Sequence, residues 1–113
     1  MTRYIAITDI HGELGKLESV LSKIDLRPDD IFVFMGDYID RGKKSREVVD
    51  EIINLQNVCN CVYLIGSHEY AMLHADVDDY YHYLFWNYGG DSTAASYGSY
   101  ENIMKVHGDF FNS

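Results

Sequence analysis

Three short polar clusters combine residue types that bind cations and phosphate. They are Asp9-Ile10-His11-Gly12, Gly36-Asp37-Tyr38-Ile39-Asp40-Arg41-Gly42 and Gly66-Ser67-His68-Glu69. Carboxylates and imidazoles suit divalent transition metals, and a guanidinium suits a phosphate group. Taken separately, each cluster has an ordinary explanation as a turn, a salt-bridged surface loop or a helix start. Their joint occurrence favours one shared site.

The first two clusters hold side chains suited to a pair of cations. The carboxylate of Asp37 has two oxygens and can bridge two metal ions, while Asp9 and His11 can complete much of the first ion's protein shell. Two metals about 3.5–4 Å apart can activate a bridging water and clamp phosphoryl oxygens. These residues therefore predict a two-metal centre that hydrolyses phosphate esters.

The remaining polar side chains of the clusters suit phosphate binding and proton transfer. Arg41 can hold the phosphate through a charge-assisted contact. His68, oriented by the carboxylate of Asp40, can protonate the departing oxygen. This chemistry requires no nucleophilic Ser or Cys.

Each cluster directly follows a short apolar run that predicts a strand. The runs are Tyr4–Thr8, Ile31–Met35 and Val58–Ile65. They are nearly continuous rather than alternating, which is typical of strands buried on both faces of a parallel sheet. We therefore expect three buried parallel strands.

Helical patterns separate these strands. The first runs from about Glu13 to Ile24, and the second begins at Ser45, which we expect as its N-cap, and ends near Leu55. The order β-α-β-α-β predicts a parallel sheet with right-handed crossovers. Ligands bind outside the carboxyl ends of such strands, so the three clusters should converge there.

The last part of the chain is predicted to be mainly helical. The expected elements are helices at Tyr70–Ala75, Tyr80–Trp86 and Thr93–Tyr97, a turn at Gly89-Gly90-Asp91-Ser92, and a helix at Glu101–Phe111 with Ile103, Val106 and Phe110 on one side.

Length and composition narrow the class of protein. The 113 residues, 47% of them hydrophobic, predict one ordered domain spanning residues 1–113. The net charge of −9 argues against a general nucleic-acid binder, because an acidic surface repels phosphates.

Cys59 and Cys61 should be reduced, since strand residues two apart are badly placed for a disulfide. With neither a signal peptide nor a membrane-spanning run in the sequence, we expect a cytoplasmic protein without a membrane partner.

Together, the three clusters resemble the motifs of the calcineurin-like metallophosphoesterases, which read D-x-H-G, G-D-x-x-D-R-G and G-N-H-E in this order. The most similar type is the serine/threonine protein phosphatase of bacteria and phages. The stretch Trp86-Asn87-Tyr88-Gly89-Gly90, followed by Thr93, Ser96-Tyr97 and Gly98, is also similar to one that follows the third motif in bacterial members. The resemblance implies that the chain is an N-terminal half. Its sheet would form half of a four-layer α/β/β/α sandwich and would carry a helical C-terminal segment.

The resemblance also implies a role for each site residue. Asp9 and His11 would bind the first metal, Asp37 would bridge, and Ser67 would stand at the position that reaches the second. His68 would be the proton donor, Asp40 its partner, and Arg41 a phosphate ligand. The resemblance implies two divalent ions, with manganese favoured over an iron–zinc pair.

Two departures from the family pattern affect these expectations. Ser67 stands where the family has a metal-binding Asn, and a shorter hydroxyl should weaken binding of the second metal. The family's later His and Arg ligands have no counterpart, since His74, His82 and His107 look like packing or surface residues. Without the family's second half, we expect an exposed apolar sheet face and self-association through it.

Three functional hypotheses follow. The first is a phosphoesterase of the serine/threonine protein phosphatase type, which hydrolyses a phosphoprotein or small phosphomonoester by direct attack of a metal-bound water. The second is a symmetrical dinucleoside tetraphosphatase, which Asp40 disfavours because that family typically lacks Asp at this position. The third is a catalytically inactive, truncated fragment that binds a metal or a partner.

Overall fold

The computed structural model describes residues 2–113 and places three parallel strands in one sheet. The strands are β1 (Tyr4–Ile7), β2 (Ile31–Phe34) and β3 (Asn60–Tyr63), in the spatial order β1-β2-β3. Tyr4 pairs with Ile31, and Ile31 with Asn60, so the strands run in register. The parallel α/β class predicted from the sequence is confirmed.

Two helices connect the strands, and four more follow β3. The connecting helices are α1 (Leu14–Ser22) and α2 (Ser45–Asn54), the second extended by a 3-10 turn at Leu55–Asn57. The later helices are α3 (Ser67–His74), α4 (Asp79–Asn87), α5 (Gly90–Tyr97) and α6 (Tyr100–Phe111). No helix within residues 2–113 is both long and apolar enough to cross a membrane.

The hydrophobic core lies between one face of the sheet and the helices. Phe32 and Phe34 of β2 are fully buried, as is Ile52 of α2. Phe34 stacks on Tyr63 of β3 with ring centroids 5.5 Å apart, and the Tyr63 hydroxyl donates to the Ile52 carbonyl at 2.5 Å. This packing fixes β2 and β3 against α2.

The opposite face of the sheet is apolar and exposed. Tyr4 is 72% exposed, Val62 45% and Leu64 48%. On the same face Ala6 pairs with Val33, and Val33 pairs with Val62. The expectation of strands buried on both faces is therefore wrong. The exposed apolar face expected from the family resemblance is present.

The helical half differs from the sequence prediction at two helix starts. Helix α3 begins at Ser67 rather than Tyr70, with Gly66 at its N-cap, because the Glu69 carboxylate accepts a hydrogen bond from the Gly66 N–H at 2.8 Å. Helix α5 begins at Gly90 rather than after a turn at residues 89–92, and the left-handed Gly89 (φ 104°) alone makes the bend.

Helix α6 presents a different face to the core than its apolar pattern predicts. Val106 is 41% exposed, whereas His107 is buried beside Ile103. The imidazole of His107 is accommodated because both its nitrogens have partners, the Tyr97 hydroxyl at 2.6 Å and an Asp50 oxygen at 2.8 Å. Paired polar groups can be buried at little cost, so the histidine takes the core position.

Candidate metal and phosphate site

The loops after β1 and β2 are joined by backbone hydrogen bonds. The His11 N–H donates to the Asp37 carbonyl at 3.0 Å, and the Gly12 N–H donates to the Tyr38 carbonyl at 2.8 Å. The Gly42 N–H donates to the His11 carbonyl at 2.8 Å. A Cβ at Gly42 would lie 2.3 Å from that carbonyl oxygen, so only glycine permits this approach.

Glu69 joins the third loop to the second. Its fully buried carboxylate accepts hydrogen bonds from the backbone N–H groups of Asp37 at 2.6 Å, Tyr38 at 2.9 Å and Gly66 at 2.8 Å. Burial raises the pKa of the Glu69 carboxyl, and the backbone donors oppose that shift. The sequence indicated Glu69 only as a first-turn helix residue, and it is in fact the link between two loops 30 residues apart.

Backbone strain is concentrated in the predicted site. Within residues 2–113, the non-glycine residues with positive φ are Asp9 (55°), His11 (48°), Asp37 (56°), Asp40 (77°) and Arg41 (79°). Such conformations are uncommon outside glycine, and their strain persists only where the surrounding structure enforces it. Every one of these residues was singled out from the sequence on chemical grounds.

Asp9, His11 and Asp37 form a cluster suited to one cation. One ligand atom from each lies within 4.8 Å of the other two. The Nδ1 of His11 lies 2.8 Å from the Ile39 carbonyl, so it carries the proton and leaves Nε2 as the ligand atom. Two carboxylates and an imidazole that turns its Nε2 toward them fit a divalent transition metal.

A second group of side chains is built for proton transfer. The Nδ1 of His68 lies 2.8 Å from Oδ2 of Asp40, which is 1% exposed. The Thr93 hydroxyl donates to the other Asp40 oxygen at 2.6 Å and accepts from the Asp40 N–H at 2.8 Å. Burial raises the pKa of Asp40, while the hydrogen bonds from Thr93 and His68 lower it. The imidazole of His68 is thus held with Nε2 free.

Ser45 belongs to this network rather than capping α2. Lys44 stands at the N-cap, and the fully buried Ser45 hydroxyl accepts from the Asp40 N–H at 3.2 Å and lies 3.3 Å from the Thr93 hydroxyl. The predicted cap is therefore wrong, because the buried Asp40 backbone competes for the same oxygen.

The turn between α4 and α5 holds the backbone of Arg41 in place through hydrogen bonds. The Arg41 N–H donates to the Gly89 carbonyl at 3.1 Å, and the Ser92 hydroxyl donates to the Arg41 carbonyl at 3.1 Å. A Cβ at Gly89 would meet the Arg41 nitrogen at 2.6 Å. Sequence reasoning missed Gly89, Ser92 and Thr93 as site residues. The only signal was the family-like stretch, to which Gly89 and Thr93 belong and which Ser92 adjoins.

Arg41 borders two cavities. A cavity of about 450 Å³ borders it together with Asp9 and His11, and another of about 160 Å³ borders it together with Ser67 and His68. Arg41 is exposed and has no ion-pair partner among residues 2–113, which leaves its guanidinium available to an anion. The structure thus gathers all seven predicted site residues at the carboxyl ends of the strands.

The metal-type cluster and the proton-transfer pair are neighbours. The rings of His11 and His68 lie edge to face with centroids 4.7 Å apart. The Asp37 carboxylate joins them, since its Oδ1 accepts from the His68 N–H at 3.1 Å. By contrast, His74 and His82 bond only to backbone carbonyls of their own segment, away from this site.

Comparison with known proteins places this site in a family. The family described as calcineurin-like phosphoesterases matches residues 2–112. The chain is 43% identical over 44 residues to a candidate serine/threonine-protein phosphatase of Caenorhabditis elegans, and 40% identical over 45 residues to the serine/threonine-protein phosphatase PP1-delta of the same organism. It is 33% identical over 75 residues to an uncharacterized protein of Methanocaldococcus jannaschii.

These similarities cover parts of longer proteins. The three matches span 39%, 40% and 66% of this chain, but only 10%, 15% and 29% of the respective relatives. The family match, in contrast, covers almost every residue that the structure describes, including all three site loops. On that match, the chain belongs to the calcineurin-like phosphoesterase family.

Proposed function

We propose that this chain carries the catalytic centre of a metal-dependent phosphoesterase of the serine/threonine protein phosphatase type. It would hydrolyse phosphomonoesters by direct attack of water, without a covalent enzyme intermediate. The observation that carries the proposal is the 4.7 Å separation between His11 of the metal-type cluster and His68 of the proton-transfer pair. The printed names of two relatives support the protein phosphatase type.

Asp9, His11 and Asp37 would hold the first cation. A bound divalent cation supplies Lewis-acid polarisation of phosphoryl oxygens and lowers the pKa of water. The protein's own contribution is orientation, because the Ile39 carbonyl fixes the His11 tautomer and the His68 N–H engages one oxygen of Asp37. The mixed oxygen and nitrogen donors suit manganese, iron or zinc, and manganese is proposed because the family resemblance implies it.

A second cation would have fewer protein ligands. Asp37 can be shared through its second oxygen, but Ser67 offers only a short, exposed hydroxyl at the first residue of α3. We therefore propose that the second cation binds more weakly than the first.

Arg41 would bind the phosphate. Arg41 borders both the cavity that is lined by Asp9 and His11 and the cavity that is lined by His68. A guanidinium can contact two phosphate oxygens at once and thereby fix the orientation of the ester.

His68 would protonate the departing alcohol oxygen. Asp40 accepts from Nδ1 and orients the ring, so that Nε2 is the nitrogen that would carry the transferred proton. General acid catalysis of this kind contributes about 10²–10⁴-fold to a rate. Thr93 would hold Asp40 in place without touching the substrate.

An assay on an aryl phosphate with added manganese tests the proposal, comparing the wild-type chain with His68→Ala and His82→Ala. His82 is an exposed histidine outside the site and serves as the matched control. We expect hydrolysis by the wild type and His82→Ala, and a loss of at least about 100-fold in His68→Ala. Equal rates in all three, or no hydrolysis by the wild type with any divalent metal, would contradict the proposal.

A further inference from the structure

His107 on α6 is a buried histidine that the proposed chemistry does not use. Its side chain is 8% exposed, and its two ring nitrogens contact two different helices. Nδ1 lies 2.6 Å from the Tyr97 hydroxyl on α5, and Nε2 lies 2.8 Å from an oxygen of Asp50 on α2. A hydrocarbon side chain could fill this position but could not hydrogen-bond to both helices.

The link that His107 makes needs a side chain with two polar atoms. Because a carboxylate can only accept, Nε2 donates to Asp50, which leaves Nδ1 for the Tyr97 hydroxyl. Tyr97 is 2% exposed, and within residues 2–113 its hydroxyl has no other hydrogen-bond partner. Loss of the imidazole would therefore leave a buried polar group unpaired and remove the link between α5 and α2 at this point.

The same two helices hold the backbone of Asp40. Its N–H donates to the hydroxyl of Thr93 on α5 at 2.8 Å and to that of Ser45 on α2 at 3.2 Å, and these two hydroxyls lie 3.3 Å apart. Thr93 precedes Tyr97 by one helical turn, and Ser45 precedes Asp50 by slightly more than one turn. The two links between α2 and α5, at Asp40 and at His107, are therefore about one turn apart.

We infer that His107 is a positioning residue for the proposed proton transfer. It keeps α2 and α5 at the separation at which Ser45 and Thr93 both contact Asp40, and so keeps that carboxylate directed at His68. The inference rests on the proposed function, in which Asp40 and His68 are the proton-transfer pair. His107 borders neither cavity of the site, so it acts through the two helices and not on the substrate.

Amide hydrogen exchange followed by NMR tests the inference without requiring catalysis. In His107→Phe, the Asp40 N–H should exchange at least about tenfold faster than in the wild type, because the helices that supply its two acceptors are no longer joined. The Gly12 N–H, which donates to the Tyr38 carbonyl on the metal side, is the internal reference and should keep its rate.

Two further variants separate the lost hydrogen bonds from a general disturbance of the fold. His107→Gln has an amide that can donate to Asp50 and accept from Tyr97, so it should restore most of the protection of the Asp40 N–H. Tyr97→Phe removes one hydroxyl and no ring, and should accelerate exchange at Asp40 in the same direction as His107→Phe.

Hydrolysis kinetics with manganese connect this geometry to catalysis. In His107→Phe, kcat should fall about tenfold while KM and manganese affinity stay unchanged, and kcat should recover in His107→Gln. Tyr100→Phe is the matched control, because the Tyr100 hydroxyl ties α6 to the Met72 carbonyl on α3 at 2.6 Å and not to α2 or α5. It should leave both kcat and the exchange of Asp40 at wild-type values.

The outcomes distinguish this inference from the proposed function. An unchanged exchange rate at Asp40, or one that rises equally with that of Gly12, would overturn the positioning role of His107. A wild-type kcat in His107→Phe would overturn it as well. Absence of hydrolysis by the wild type would instead overturn the proposed function, and the exchange rates would still decide whether His107 holds Asp40 in place.

Discussion

The two sides of the site differ in how the protein completes them. On the metal side, Asp9 is exposed, His11 and Asp37 are half-buried, and their ligand atoms converge on a common point. On the proton-transfer side, Asp40 and Thr93 are buried and hydrogen-bonded to each other. The metal side needs a bound cation to offset its negative charge, whereas the residues of the proton-transfer side already have hydrogen-bond partners within the protein. Substitutions on the two sides should therefore have different effects.

The largest expected effect is the loss of metal binding in Asp37→Asn. The amide keeps an oxygen for the His68 N–H but removes the charge, and with it a shared ligand. Because substitution of a group that merely supports a metal ligand costs about 10–100-fold in affinity, loss of a ligand should weaken manganese binding by at least about 100-fold. Calorimetric titration of manganese measures this.

Asp109→Asn is the control for Asp37→Asn, since Asp109 is exposed on α6 and outside the site. It should bind manganese as the wild type does. Equal loss of affinity in both variants would show that net charge, rather than the cluster, holds the metal.

Thr93→Val should affect the other side of the site. Valine keeps the shape but leaves a buried Asp40 oxygen and N–H without their Thr93 partner, so the carboxylate can turn from His68. We expect kcat to fall about 10–100-fold with manganese affinity unchanged. Thr93→Ser, which restores the hydroxyl, should recover most of kcat. An equal loss in the serine variant would contradict the positioning role.

The contrast between the two sides also explains what the sequence could predict. The metal side and the pair of Asp40 and His68 come from segments that directly follow strands. Apolar runs and local motifs were therefore enough to predict that these residues lie close together. Thr93 and Gly89 reach the site from helices about 50 residues further along the chain, and no periodicity indicates such a contact. Only the family-like stretch pointed to that region.

The fold was likewise predictable where the pattern was local. All three strands were placed correctly, although β3 is shorter than its apolar run. The N–H groups of Val58 and Cys59 bond back to the Leu55 carbonyl, and the paired residues end at Tyr63. The core face of α6 was not predictable, since burial of His107 depends on partners in other helices.

A smaller effect is expected at Ser67, the first residue of α3. Ser67→Asn would add a carbonyl oxygen able to reach a second cation, which should tighten the weaker manganese site by about tenfold and leave the first unchanged. Titration that resolves two binding events would measure the difference. Identical second affinities in wild type and variant would defeat the idea that the serine weakens this site.

The smallest effect on the site should come from the exposed sheet face. We expect the chain to self-associate through this apolar surface, and Val62→Lys to reduce the association while changing stability by no more than about 0.5 kcal/mol. Sedimentation velocity over a range of concentrations measures the association. A wild type that stays monomeric throughout would contradict the expectation. Altered manganese affinity in Val62→Lys would show that the exposed sheet face and the metal site are not independent.

The central claim is that three loops distant in sequence meet around one cation. A crystal of the chain grown with manganese, with data collected at an energy where manganese scatters anomalously, tests it most directly. The account predicts an anomalous peak coordinated by Asp9, by Nε2 of His11 and by Asp37, with His68 beside it. A peak bound elsewhere, or crystals that take up manganese without ordering it at these three residues, would contradict the account.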